Sequence, residues 1–236
     1  MDYLTNFGWQ KGSAGVIALL IMRCLLIPVH GINATNNGWV GDFCQFIKKQ
    51  WPEAVIIEPD YFATALPIFN NWFLDPHVSK CLFQKILFNA GTLPIFFVAH
   101  SNGAVITLRT AQLLIAKGKT VAGMVLIAGA IDPDIAETQL LHNVTAKQLG
   151  FAAAYCSADD DVLGAPHWLP KWLQTPYEYV KWPYGSLGHT GWQVGAHEYN
   201  GPGFITRWRD GGHGAWTDSD RQAVTFPQIV SDLENL

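Results

Sequence analysis

Apolar residues gather in short runs, and stretches of helical periodicity lie between them. The runs cover 24–29, 54–57, 93–98, 124–128, 151–156 and 203–208. The first five carry no charged side chain, as expected of parallel strands buried on both faces. After the third run, Ala104, Val105, Leu108, Ala111 and Ile115 recur at helical spacing, which predicts a helix over 102–117 with Gly118 at its C-terminal stop. Trp39, Phe43, Phe46 and Ile47 mark the core face of an earlier helix, and Ile229, Val230 and Leu233 that of a closing helix over 226–236. The stretch from Asp132 to Gly150 has room for one helix. Strand and helix alternate throughout, which predicts an α/β architecture on a mostly parallel sheet, built as one domain over 1–236.

The chemistry concentrates where the run 93–98 meets its helix. The residues there read Val98-Ala99-His100-Ser101-Asn102-Gly103. A turn this sharp presses helix against strand, so small side chains are needed two positions either side of the serine, and Ala99 and Gly103 supply them. The pattern is G-x-S-x-G with alanine for the first glycine. It resembles the nucleophile turn of the alpha/beta-hydrolase superfamily, in the A-H-S-x-G form of the small bacterial lipases.

That resemblance extends over most of the chain, from about Cys24 to the end. The run 24–29 leads into His30-Gly31-Ile32-Asn33, and a strand ending in His-Gly carries half of the oxyanion hole in this superfamily. The resemblance assigns the two donors to the backbone N–H groups of Ile32 and Asn102, and places His30 and Gly31 at the substrate. The acid follows the run 151–156. Ser157-Ala158-Asp159-Asp160-Asp161-Val162-Leu163 is similar to the family's G-x-x-D-x-V-V stretch, which aligns Asp160. Three adjacent carboxylates repel one another, so the chain is expected to bury one of them and expose two. Asp159 and Asp161 stay open as alternatives, as does Asp132, because some lipases of the superfamily carry the acid after the preceding strand.

Eight histidines compete for the role of base. The family places it between the last strand and the closing helix, often as G-H-x-x-[WFY], and Gly212-His213-Gly214-Ala215-Trp216 matches. His189 in Gly188-His189-Thr190-Gly191 is the rival, and His197 a weaker one. The side chain of His100 is expected to point away from the serine hydroxyl and to pack beside it or line the pocket. Ser101, His213 and Asp160 then form the triad of a serine esterase or lipase, which cleaves carboxylic esters through an acyl-enzyme. The same triad serves acyltransferases and thioesterases, and a non-catalytic binding protein could keep the fold. No cofactor or metal is called for.

The resemblance implies a three-layer fold. Few residues precede Cys24, so a reduced sheet of about six strands is expected in place of the full-size one, with no large cap domain. Two aromatic stretches, 61–73 and 168–192, rise where strand C-terminal ends are expected, so Phe62, Leu66 and Trp168 are candidates to line an acyl pocket; the alternative is that such residues plug the core.

Composition narrows the partners. Hydrophobic residues make up 49% of the 236, charged residues only 14%, and the net charge is -4. That argues against disorder and gives no electrostatic case for nucleic acid or an anionic membrane surface, leaving a small-molecule or lipid ester as the partner. The apolar stretch 13–22 lacks a basic start and a cleavage site, and Arg23 interrupts its continuation, so neither a signal peptide nor integral membrane insertion is expected. Cys24, Cys44, Cys81 and Cys156 show no C-x-x-C spacing and read as free buried thiols, which suits a cytoplasmic setting.

Overall fold

The computed structural model describes residues 23–32, 38–61, 70–163, 176–177, 180–181, 185–195 and 197–234. Its centre is a six-stranded sheet. In chain order the strands are β1 (Leu25–Val29), β2 (Val55–Ile56), β3 (Ile95–His100), β4 (Gly123–Ile127) and β5 (Ala152–Cys156), with Phe204–Trp208 completing it. Two small antiparallel hairpins lie between the last two, β6 (Pro176–Tyr177) with β7 (Val180–Lys181) and β8 (Gln193–Val194) with β9 (His197–Glu198), so the final sheet strand is β10. The order across the sheet is β10-β5-β4-β3-β1-β2, and every pairing in it is parallel.

Among the described residues six helices accompany the strands: α1 (Trp39–Gln50), α2 (Asp75–Ala90), α3 (Gly103–Ala116), α4 (Leu140–Thr145), α5 (Leu187–Thr190) and α6 (Gln222–Glu234). A π-helical turn, Asn70–Leu74, runs directly into α2. Successive strand residues alternate between two apolar cores. Leu25, Ile27, Phe97, Ala99 and Leu126 face a layer that includes α2 and α3, while Leu26, Phe96, Val98, Val125 and Tyr155 face α1 and α6. Both faces are therefore dry, which is why the strands read as unbroken apolar runs.

The expected strands and helices are present with small shifts. The third begins at Ile95 rather than at Leu93 and runs on to His100. The closing helix starts four residues before the expected Phe226, because Pro227 lies inside it rather than in its first turn. Helix α2 was not foreseen: its apolar residues are spread round the helix instead of forming one stripe. Only α4 stands between β4 and β5, and the described residues contain no large cap. Among them no helix is long and apolar enough to cross a membrane. All four cysteines are free, but Cys81 is exposed on α2, against the expectation of a buried thiol.

One interaction ties the sheet edge to the closing helix. Tyr155 donates its hydroxyl to Asp232 at 2.7 Å, and Arg207 closes on the same carboxylate at 2.5 and 3.1 Å. Strands β5 and β10 are thereby fixed to α6, and with them the loops that leave their C-terminal ends.

Candidate active site

The chain leaves β1 toward β2 on one side and returns to β3 on the other, so the sheet order reverses between β1 and β3. Loops that leave neighbouring strands in opposite directions open a crevice at their C-terminal ends. Gly31 lies on one side of it and Ser101 on the other. A methyl group on Gly31 would lie 2.8 Å from Ser101 Cβ, and one on Gly103 only 2.6 Å from the carbonyl oxygens of both Val29 and His30. Two glycines therefore let the first strand end and the serine turn touch.

Ser101 itself has φ 54°, a left-handed conformation that is uncommon outside glycine and costs about 1–3 kcal/mol. The surroundings fix it. Its N–H donates to the Ile127 carbonyl at 2.9 Å, and its own carbonyl accepts from Ala104 and Ala130, each at 3.1 Å. The hydroxyl is thus held above the sheet edge at the start of α3, with the side chain only 5% exposed.

The histidine and acid approach from the other half of the sheet. His213 Nε2 lies 2.9 Å from Ser101 Oγ, and its Nδ1 lies 2.8 Å from Asp160 Oδ2. Asp160 is fully buried, and its second oxygen accepts the Leu163 N–H at 3.0 Å. Asp159 and Asp161 are exposed, so one carboxylate of the three is buried and two face solvent, as charge repulsion predicts. Asp132 accepts from the Asp134 N–H at 3.0 Å. His189 sits in α5 and His197 in β9, and among the described residues neither shares a hydrogen bond with Ser101.

Loop-to-loop bonds set the position of His213. The Gly211 N–H donates to Asp159 at 3.2 Å, and Ser157 donates its hydroxyl to the Gly211 carbonyl, so the acid loop grips the histidine loop through both backbone groups of one residue. Gly211 needs φ 123° to present both groups. Trp216 is the anchor beyond the histidine: it donates to the Cys156 carbonyl at 3.1 Å, and the Arg209 guanidinium stacks 4.1 Å over its ring. Neither Ser157 nor Asp159 was assigned this role from the sequence, because the bond depends on how two distant loops meet.

His100 packs against the base. Its Nε2 lies 3.3 Å from the His213 carbonyl and its ring 5.0 Å from the His213 ring. Burial and the neighbouring His213 charge push its pKa down to about 4, so it packs as a neutral imidazole. His30 is also buried and lowered in pKa, chiefly by that burial; its Nδ1 donates to the Gly31 carbonyl at 2.8 Å. Tyr61 stacks on the His30 ring at 4.1 Å and donates its hydroxyl to the His30 carbonyl. This first residue of the aromatic stretch 61–73 is therefore a brace for the His-Gly turn.

Asn102 stands at the N-cap position of α3 without a side-chain capping bond, and among the described residues neither its N–H nor that of Ile32 donates to a backbone carbonyl. Phe62, Leu66 and Trp168 lie outside the described residues. At the far end of the second aromatic stretch, Trp192 is fully buried and donates to the Ile205 carbonyl at 3.2 Å, so it plugs the core. Among the described residues no group of three or more histidine, cysteine, aspartate or glutamate side chains is placed to hold a metal ion.

Neither a protein-family model nor a curated protein matches the sequence. Solved structures do match its three-dimensional form. An uncharacterized protein of Bacillus cereus superposes with TM-score 0.54 at 13% identity, over 96% of this chain and 64% of that one. A CIB-like hydrolase of Thermoplasma acidophilum gives 0.52 at 15% identity, over 91% and 88% of the two chains. The NocB thioesterase domain, in covalent complex with a fluorophosphonate nocardicin G analog, gives 0.51 at 13%, over 90% and 95%. With the sheet order and the serine turn described above, these place the chain in the alpha/beta-hydrolase fold.

Proposed function

We propose that this chain is a serine hydrolase of carboxylic esters. The observation that supports it most is the unbroken relay from Ser101 Oγ through His213 Nε2 and Nδ1 to buried Asp160, at 2.9 and 2.8 Å, assembled from three separate loops. A structural histidine has no need of a strained serine on one side and a fully buried carboxylate on the other.

In this reading His213 Nε2 takes the proton of Ser101 as Oγ attacks the acyl carbon. The tetrahedral oxyanion is held by the N–H groups of Asn102 and Ile32, each worth about 3 kcal/mol of barrier. Collapse expels the alcohol, which receives the proton from Nε2, and a water molecule repeats the cycle to release the acid. Asp160 keeps the imidazole proton on Nδ1 and stabilises the imidazolium without accepting that proton. His30 and Gly31 flank the reacting carbonyl, and His100 backs the base. The chain works as one catalytic domain, and its free thiols suit a reducing, cytoplasmic compartment.

A thioester substrate is the second reading, favoured by the thioesterase domain among the structural neighbours. The test is hydrolysis of p-nitrophenyl esters from acetate to palmitate, beside the matching acyl thioesters, by wild type, Ser101→Ala and His213→Ala. Ester cleavage abolished by both substitutions supports the proposal, and faster thioester cleavage selects the second reading. Undiminished activity in Ser101→Ala refutes both.

A further inference from the structure

Behind the serine turn lies a buried acid that the reaction above leaves unused. Asp75, the first residue of α2, is fully buried, and Asn102 is 1% exposed. Asn102 Nδ2 donates to Asp75 Oδ1 at 3.1 Å. The other oxygen of each group, Asp75 Oδ2 and Asn102 Oδ1, is buried and has no hydrogen-bond partner among the described residues. With Asp75 ionised both of these atoms are acceptors and cannot satisfy one another. A proton on Asp75 Oδ2 turns it into a donor, and acid and amide then pair edge to edge with every polar atom used.

The surroundings favour that proton. Burial raises the Asp75 carboxyl to about 6, against the pull of the Asn102 N–H and of Arg109 on α3. Tyr61, on the loop after β2, is kept protonated by burial and by the Asp75 charge, and its hydroxyl is already given to the His30 carbonyl. The π-helical turn Asn70–Leu74 runs straight into α2, so Asp75 does not sit at the open end of a helix, where an anion would be welcomed.

We propose that Asp75 is a positioning residue for the Ser101–Asn102 turn, holding Asn102 through a pair between its neutral carboxylic acid and the Asn102 carboxamide. The inference rests on the reading of that turn as the site of the nucleophile. Asn102 follows a residue in a strained left-handed conformation, and its N–H belongs to the proposed oxyanion hole. Anchoring its side chain from α2 fixes the direction of that N–H.

Two measurements test this. The first is the 13C titration of aspartate Cγ in the labelled protein, with Asp75 assigned by its absence from Asp75→Asn. A midpoint near or above about 6 is expected, and one in the ordinary aspartate range near 4 overturns the pairing. The second is the rate at which a fluorophosphonate labels Ser101, measured below that midpoint, where the acid is neutral. Asp75→Leu, which leaves both polar ends of Asn102 unpaired, is expected to slow labelling at least about tenfold, and Asp75→Asn, whose amide offers the acceptor and donor of the neutral acid, to restore it to within about threefold of wild type. Asp75→Leu labelling as fast as wild type, or Asp75→Asn as slow as Asp75→Leu, overturns the inference. If Asp75→Leu does not fold, the titration and Asp75→Asn still decide. A wild type that is not labelled at all refutes the nucleophile, whereas the titration tests the pairing without any turnover.

Discussion

Replacing Asp160 with asparagine changes one heavy atom of the site and leaves its shape. The carboxylate has an acceptor for each of its donors, His213 Nδ1 at 2.8 Å and the Leu163 N–H at 3.0 Å, and it is fully buried. A carboxamide has one acceptor and one donor to offer. With its oxygen on the Leu163 N–H, its NH2 faces Nδ1, which must then accept, and the imidazole proton moves to Nε2 against Ser101 Oγ. An imidazole in that tautomer cannot take the serine proton. Turning the amide over restores the tautomer but sets two donors face to face and leaves a buried backbone N–H unpaired, at about 1–3 kcal/mol. The charge-assisted bond to the imidazolium, worth about 1.5–3 kcal/mol, is lost in either orientation. Together these raise the barrier by about 2.5–6 kcal/mol, or about 10²- to 10⁴-fold in kcat/KM on a p-nitrophenyl ester. Asp161→Asn, at an exposed position, is the control and should fall within about twofold of wild type. A folded Asp160→Asn protein that loses less than about fivefold refutes the assignment and moves the acid to Asp159, Asp161 or Asp132.

Other expectations follow from the packing. Gly103→Ala puts a methyl group 2.6 Å from the carbonyl oxygens of Val29 and His30 at the end of β1, so the turn must move; it should destabilise by about 1–3 kcal/mol and slow phosphonate labelling of Ser101. Asp232→Ala strands the buried Tyr155 hydroxyl and the partly exposed Arg207, and urea unfolding should show a loss of about 2–3 kcal/mol, below the range for a wholly buried pair. His100 has a folded pKa near 4 against about 6.5 unfolded, so the unfolded chain binds more protons between those values, and the contribution of His100 to stability is lost as pH falls through that window. His100→Gln should therefore gain on wild type, by at most about 3 kcal/mol, between pH 6.5 and 4; a difference in unfolding free energy that stays flat over that range would show that His100 is not held neutral.

The features legible in the sequence are those that neighbouring residues dictate. Strands buried on both faces are visible because no polar side chain has a place on them, and the serine turn because Ala99, Ser101 and Gly103 must be small or strained together. That one acid of three would be buried was readable from charge repulsion, while the choice of Asp160 and of His213 came from the resemblance, which places the base between the last strand and the closing helix. What was not legible depends on contacts across the fold. Asp75 and Asn102 are 27 positions apart, Ser157 and Gly211 54, and Tyr155 and Asp232 77, and no local pattern marks a polar residue that will be buried. Tyr61 reads as part of an aromatic stretch that lines a pocket or plugs the core, because composition alone cannot distinguish either from a ring that braces a turn.

The sheet order explains why such separate residues meet. Ser101 leaves the end of β3 and Asp160 follows β5, with β4 between them, so the two loops start two strand spacings apart, about 9.5 Å. Serine and carboxylate side chains cannot close that gap directly, but one imidazole with hydrogen bonds of 2.9 and 2.8 Å at its two nitrogens can. The imidazole must then come from outside the pair, and β10, adjacent to β5 at the sheet edge, supplies the loop that carries His213. On the other flank β1 lies against β3, which brings Gly31 to the serine. The relay is thus fixed by strand spacing. The finer alignment, of the N–H of Asn102 and the ring of His213, falls to buried polar contacts from outside the sheet: Asp75 on α2 for the first, and the Ser157–Gly211 grip for the second. Asp75→Leu and Ser157→Ala should lower the rate of the chemical step more than they lower the stability of the sheet, whereas substitutions in β3 or β5 should lose both together.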